Sequence, residues 1–241
     1  MQKLTVNIER RRFNANAAGG LAALLSLAYS HAYALSLGDL SEKDASQGLK
    51  TALEKSAQAA VGMLGKAGGF MDNEKVRIPL PGYLENASSV MKRFGMGRQL
   101  DELVTSMNRA AESAIPMSQE VLMGSIKSMS VSDAKGILSG GDNSVTQFFT
   151  DKTRAPLTEK FLPVVTKTTE KVGAASKYNE LASKATSFGV VNKENANIQQ
   201  YVTGKTLDGL YTVIGEEEKK IRQNPAAAGS AILSKVFGAI R

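Results

Sequence analysis

Cysteine and tryptophan are absent from the 241 residues, and the single histidine is His31. Without cysteine the chain forms no disulfide, carries no lipid on a thiol and does no thiol chemistry, so its stability has to come from packing. His31 lies in an N-terminal segment that reads as removable, which leaves the remainder without an imidazole titrating near neutral pH. Those absences exclude Ser-His-Asp and Cys-His catalysis, and zinc sites built from His or Cys. Long hydrophobic runs are missing too. The apolar stretch at residues 17–28 is 12 residues long and includes Gly19 and Gly20, too short to cross a roughly 30 Å hydrocarbon core as a helix.

What stands at the N-terminus has the order of an export signal: the basic run Arg10, Arg11 and Arg12, the apolar stretch, then Ala32-Tyr33-Ala34 as a small-x-small cleavage site. Cleavage is expected between Ala34 and Leu35, placing the mature protein in the periplasm. Arg10 to Phe13 is similar to the core of a twin-arginine signal, with Asn14 and Ala15 where Leu and Lys are usual. That leaves the twin-arginine and general secretory routes both open. The segment holds four of the 30 Lys and Arg residues and one of the 23 acids, so its removal lowers the formal net charge from +7 to +4. The 207 residues that remain suit one domain, residues 35–241.

Helical periodicity dominates this remainder, which predicts an all-α fold with one short extended, Pro-containing segment. Leu49, Leu53, Ala57, Ala60 and Leu64 recur at spacings of four and three and share one helical face. Ser41 with Asp44 marks the start of that helix. Gly68 and Gly69 break it within residues 66–73. Residues 76–81 (VRIPLP) follow, and their two prolines allow at most an edge strand. A short helix carrying Leu84, Ala87, Met91 and Phe94 should stop at Gly95. Leu100, Leu103, Met107, Ala110, Ala111 and Ala114 mark a longer one that Pro116 should kink or interrupt, before Val121, Leu122, Ile126 and Met129 resume the pattern. Ser130 with Asp133 starts another helix, ended by Gly140-Gly141. Asp142 or Asn143 should cap the next, which passes Pro156 and Pro163 with a bend. A loop is expected over residues 184–197, then a helix opened by Asn197 and Gln200, and after Asn224-Pro225 a last apolar helix over residues 226–240.

Several segments in this order are similar to the bacterial domain-of-unknown-function family 4197, across roughly Leu49 to Gly238. They include Gly69-Phe70, Ile78-Pro79-Leu80-Pro81, Asn108-Arg109-Ala110-Ala111-Glu112, the run Asp133 to Gly140, Phe148-Phe149, Asp208-Gly209-Leu210 and the run Glu217 to Arg222. The resemblance implies an exported helical domain and supplies no activity, ligand or partner.

Two charged groupings stand out as ligand-binding candidates. Asn108, Arg109 and Glu112 sit together at helical spacing and could offer a fork to a carboxylate or phosphate; the plainer reading is an i,i+3 ion pair that fixes helix register. Glu216, Glu217 and Glu218 followed by Lys219, Lys220 and Arg222 could supply carboxylates, but Glu216 with Lys220 and Glu218 with Arg222 are also favourably oriented i,i+4 pairs on a solvated face. Gly140 to Ser144 resembles a phosphate cradle without the lysine ending of a P-loop, and a helix end followed by a new cap explains it as well. Scattered lysines and core-like aromatics argue against nucleic acid. The last helix lacks the basic face of an interfacial helix, so docking on the protein's own core is the stronger reading.

These features point to a non-catalytic periplasmic module that binds a partner protein or a small apolar or anionic ligand, with no cofactor, no metal and no membrane span after signal removal. The alternatives are a carboxylate- and lysine-based hydrolase or lyase, with Glu112, Arg109, Glu218 and Arg222 as its first candidates, and a structural homo-oligomer.

Overall fold

The computed structural model describes residues 41–141, 143–171, 175–176, 178–179 and 197–238. The export signal with its Ala34–Leu35 boundary, Asp142 and the expected loop from Lys184 lie outside the described residues, Asn197 excepted. Within them the fold is all-α: eight α-helices and no strand.

The first helix, α1 (Glu42–Leu64), starts where Ser41 accepts the Asp44 amide at 3.0 Å. Its predicted face is fully buried, with Leu49, Leu53, Ala57, Ala60 and Leu64 at 0 % exposure. Residues 66–81 then cross the core surface as turns and extended chain. Val76, Ile78 and Leu80 are buried in alternation as on a strand, yet no strand pairs with them. A short helix, α2 (Gly82–Arg93), and a longer one, α3 (Gly97–Ala114), follow. Gly95, with φ at 78°, makes the turn between them.

Pro116 interrupts as expected, by forcing a 3₁₀ turn at Ile115–Met117 before α4 (Ser118–Lys127). Next, α5 (Val131–Ser139) opens on a full capping box between Ser130 and Asp133. The long helix α6 (Ser144–Thr169) contains both Pro156 and Pro163, and buries Phe149, Leu157, Phe161 and Val165. Asn143 stands at its N-cap position, but its side chain makes no cap hydrogen bond there. By contrast, Asn197 caps α7 (Ile198–Gln223) through the amides of Gln199 and Gln200. The last helix, α8 (Ala231–Gly238), buries Leu233, Val236 and Phe237.

Helix α7 is central. It packs on α6 and α1, while α6 also packs on α3 and α8 lies along α1. Two glycines set the closest approaches: a Cβ on Gly209 would sit 2.9 Å from the Phe70 ring, and one on Gly48 would sit 2.5 Å from Val236. The second contact explains why α8 rests on the protein's own core. Its apolar face fits against a helix that has no side chain at that point, and Lys235 ties it to Asp44 at 2.7 Å.

Candidate functional site

The α3 grouping is built around residues 66–81. A stretch that has no sheet partner still carries amides and carbonyls that must be satisfied when buried. Asn108, wholly buried, supplies the missing partner for Ile78: its Oδ1 accepts the Ile78 amide and its Nδ2 donates to the Ile78 carbonyl, both at 2.9 Å. The same Nδ2 also donates to Val104 O at 2.8 Å, closing the Asn108 side chain's hydrogen bonding. One helix turn further on, Glu112 does the equivalent for the glycine turn. Its Oε1 accepts the amides of Phe70 and Met71, each at 3.1 Å, and its Oε2 accepts from Arg109 Nη1 at 2.7 Å. The ion pair is lopsided. Glu112 is 5 % exposed at the side chain and Arg109 46 %, so the carboxylate belongs to the interior and the guanidinium to its rim.

Glu218 and Arg222 pair on α7 at 2.8 Å, with the Arg222 guanidinium carbon 5.8 Å from the centre of the Phe237 ring on α8. Glu216 departs from expectation: it pairs with Lys75 at 2.8 Å instead of with Lys220, because residues 66–81 bring a cation across to it. Lys220 pairs with Glu217, and that carboxylate hydrogen bond raises its pKa above the ordinary lysine value. Four of the five candidates thus form two ion pairs, one on each of two helices, and Asn108 stands beside the first bonded to backbone. Among the described residues no group of His, Cys, Asp or Glu side chains could hold a metal ion.

The Gly140–Gly141 turn is closed by its own chain. Ser144 donates its hydroxyl to Ile137 O at 3.1 Å and its amide to Gly141 O at 3.0 Å, and a Cβ on Gly140 would lie 2.5 Å from that of Ser144. Close packing of a helix end against the next helix start accounts for the glycine.

A different place has the form of a ligand site. Between α6 and α7 a cleft of about 520 Å³ is lined by Arg154, Thr158, Leu162, Tyr201, Thr203, Gly204, Lys205 and Asp208, among others. Arg154 and Asp208 bridge it at 2.9 Å. Tyr201 leans its hydroxyl on Pro79 O at 3.3 Å, and burial raises its pKa, with Glu85 adding to the effect. Gly204 opens the floor, since a Cβ there would meet nothing within 4 Å. Thr203 Oγ1 is buried and has no hydrogen-bond partner, alone in this among the described side chains. A wider hollow of about 750 Å³ over Pro116, Met117, Glu120, Met123 and Lys160 has no such unmatched group.

Residues 39–238 match the model of a family described as a protein of unknown function, DUF4197. The chain belongs to that family. No curated protein and no solved structure matches it. The family match spans α1 to α8, and so covers the α3 staple and the α6–α7 cleft alike.

Sequence reasoning missed the cleft. The local signal was Gly204-Lys205 in the first half of a helix that also holds Gly209 and Gly215, opposite Arg154 on another element. A glycine at a helix interior costs about 1 kcal/mol relative to alanine, which asks for a reason that spacing alone does not supply.

Proposed function

We propose that this family member is an exported, non-catalytic helical module of one domain that binds a small organic anion in the cleft between α6 and α7. The observation that carries the reading is the cleft itself: about 520 Å³ between two helices, with the Arg154–Asp208 pair across it and Tyr201 at its side. Lys205 adds a cation, Leu162 an apolar wall and Gly204 the room.

Export is supported by the order of basic run, apolar stretch and Ala32-Tyr33-Ala34, and by a family match that begins at residue 39, just beyond the expected cut. The single domain is supported by one cluster of buried side chains running from Leu49 to Phe237. A non-catalytic role is supported by the employment of Glu112, whose two oxygens already hold two amides and a guanidinium.

The test is thermal melting of the mature protein with and without millimolar butyrate or succinate, joined to native mass spectrometry of protein taken from its own periplasm. Wild type should melt higher with at least one anion, and Lys205→Ala should lose that rise while still folding. An unmoved melting temperature with both anions, together with a bare apo mass, would overturn the reading.

A further inference from the structure

The turn between α2 and α3 joins basic side chains to an exposed aromatic. Lys92 and Arg93 end α2, Phe94 and Gly95 form the turn, and Arg98 lies in the first turn of α3; no acid occurs between Asn86 and Gln99. Phe94 is 81 % exposed, against at most 45 % for any other large hydrophobic side chain exposed among the described residues. Its position is held by geometry. The Gly95 amide donates to Lys92 O at 3.0 Å, and the positive φ of Gly95 turns the chain sharply just after the phenylalanine. Lys92 lies against the start of α3, its Cγ 3.5 Å from where a Gly97 Cβ would stand. Neither Lys92 nor Arg93 has an ion-pair partner among the described residues, and Arg98 has only an exposed 3.5 Å contact with Glu102.

We propose that this tip docks on an anionic phospholipid surface, with Phe94 entering between headgroups and Lys92, Arg93 and Arg98 meeting their phosphates. An exposed aromatic at a tight turn, flanked by cations of which two are unpaired among the described residues, matches the two components of an interface that is negative outside and apolar just beneath. No helix among the described residues is long and apolar enough to cross a membrane, and the tip needs none: contact is peripheral and reversible. The inference does not depend on the α6–α7 cleft.

The lack of tryptophan supplies a direct probe. Phe94→Trp places the sole indole at the tip, and full-length mature protein is titrated with vesicles of phosphatidylglycerol and phosphatidylcholine in equal parts, or of phosphatidylcholine alone. The anionic vesicles should shift the emission to the blue and brominated lipid should quench it, whereas neutral vesicles should do neither. In flotation of the tryptophan-free protein, Phe94→Ser should weaken binding about tenfold or more. Lys92→Glu with Arg93→Glu should abolish it, since each cation near such a surface is worth about fivefold. Emission unmoved by anionic vesicles overturns the proposal. So does flotation that survives Phe94→Ser unchanged, which marks a purely ionic contact, or binding to soluble polyglutamate in place of vesicles, which marks an acidic protein partner.

Discussion

Asn108 on α3 and Thr203 on α7 are both buried polar side chains in helices that share one core, and they differ in a single respect. Asn108 has a partner for each of the groups it brings inside, two of them on the backbone of Ile78. Thr203 Oγ1 has none. Burial of a polar atom is expensive only when it goes unmatched, so the first residue reads as architecture and the second as a cost the fold carries. Glu112 falls with Asn108. Together they give residues 66–81 the hydrogen bonds that a neighbouring strand would otherwise provide, which is how an all-α protein accommodates a stretch its prolines keep out of a helix.

The largest effect that tests this contrast is expected at Glu112. Glu112→Ala strips the acceptor from two amides and leaves a guanidinium without its carboxylate, at a cost of about 3–5 kcal/mol. For a chain of this size the melting temperature should fall on the order of 10 °C. Arg109→Ala should cost about 1 kcal/mol or less, because Arg109 is 46 % exposed and Glu112 keeps both amides without it. Equal losses from the two variants would break the view that the carboxylate, and not the ion pair, is the structural element.

Asn108 comes next. Asn108→Ala removes three hydrogen bonds and should cost about 2–4 kcal/mol. Asn108→Asp should be no milder, since a carboxylate oxygen would then face the carbonyls of Ile78 and Val104 that the amide now donates to. Urea melts measure the loss, and hydrogen exchange at the Ile78 amide should quicken in both variants. Protection retained there would mean that residues 76–81 are held by their buried side chains alone.

Much of this was open to a reader of the sequence, for reasons that differ by element. The buried face of α1 follows from residues three and four apart, and the Ser130–Asp133 capping box from residues three apart; both are local signals. The Arg109–Glu112 pair was legible in the same way. What Glu112 does with its other oxygen was not, because Phe70 and Met71 are about forty positions away in sequence. The path of residues 66–81 decides that contact, just as it delivers Lys75 to Glu216 across 141 positions. Thr203 was invisible for a related reason: its burial is decided by neighbouring elements, and no spacing within α7 announces it.

A smaller effect with the opposite sign separates the two kinds of hydroxyl. Thr203→Val should leave stability unchanged or raise it by up to about 1 kcal/mol, since it removes an unmatched group at nearly constant shape. Thr153→Val should lower it by about 1 kcal/mol, because Thr153 Oγ1 bonds Phe149 O at 2.6 Å and shares a 2.9 Å hydrogen bond with Tyr211. Melting both side by side checks the distinction, and a comparable loss in the two would mean that the Thr203 hydroxyl is matched after all.

The smallest effect concerns Asp133, which is bonded much as Glu112 is but stands in solvent. It accepts from the Ser130 hydroxyl at 2.7 Å and the Ser130 amide at 3.0 Å, and its side chain is 27 % exposed. Those two hydrogen bonds, the hydroxyl first, hold its pKa below the ordinary carboxylate value. Asp44 is shifted the same way, chiefly by Lys235 on α8. A folded-state pKa below the unfolded one means that the ionised form is favoured by folding. The stabilisation is therefore complete above the unfolded value near pH 4, and is lost as pH falls through the lower folded value. Asp133→Asn and Asp44→Asn should each sit slightly below wild type in melting temperature by a constant margin from pH 7 to 5, with the margin closing at more acid pH. Because water already screens both groups, that margin should be far smaller than the loss from Glu112→Ala. If Asp133→Asn proved as damaging as Glu112→Ala, the number of hydrogen bonds would outweigh their burial, and the contrast between the interior staple and the solvated cap would fail.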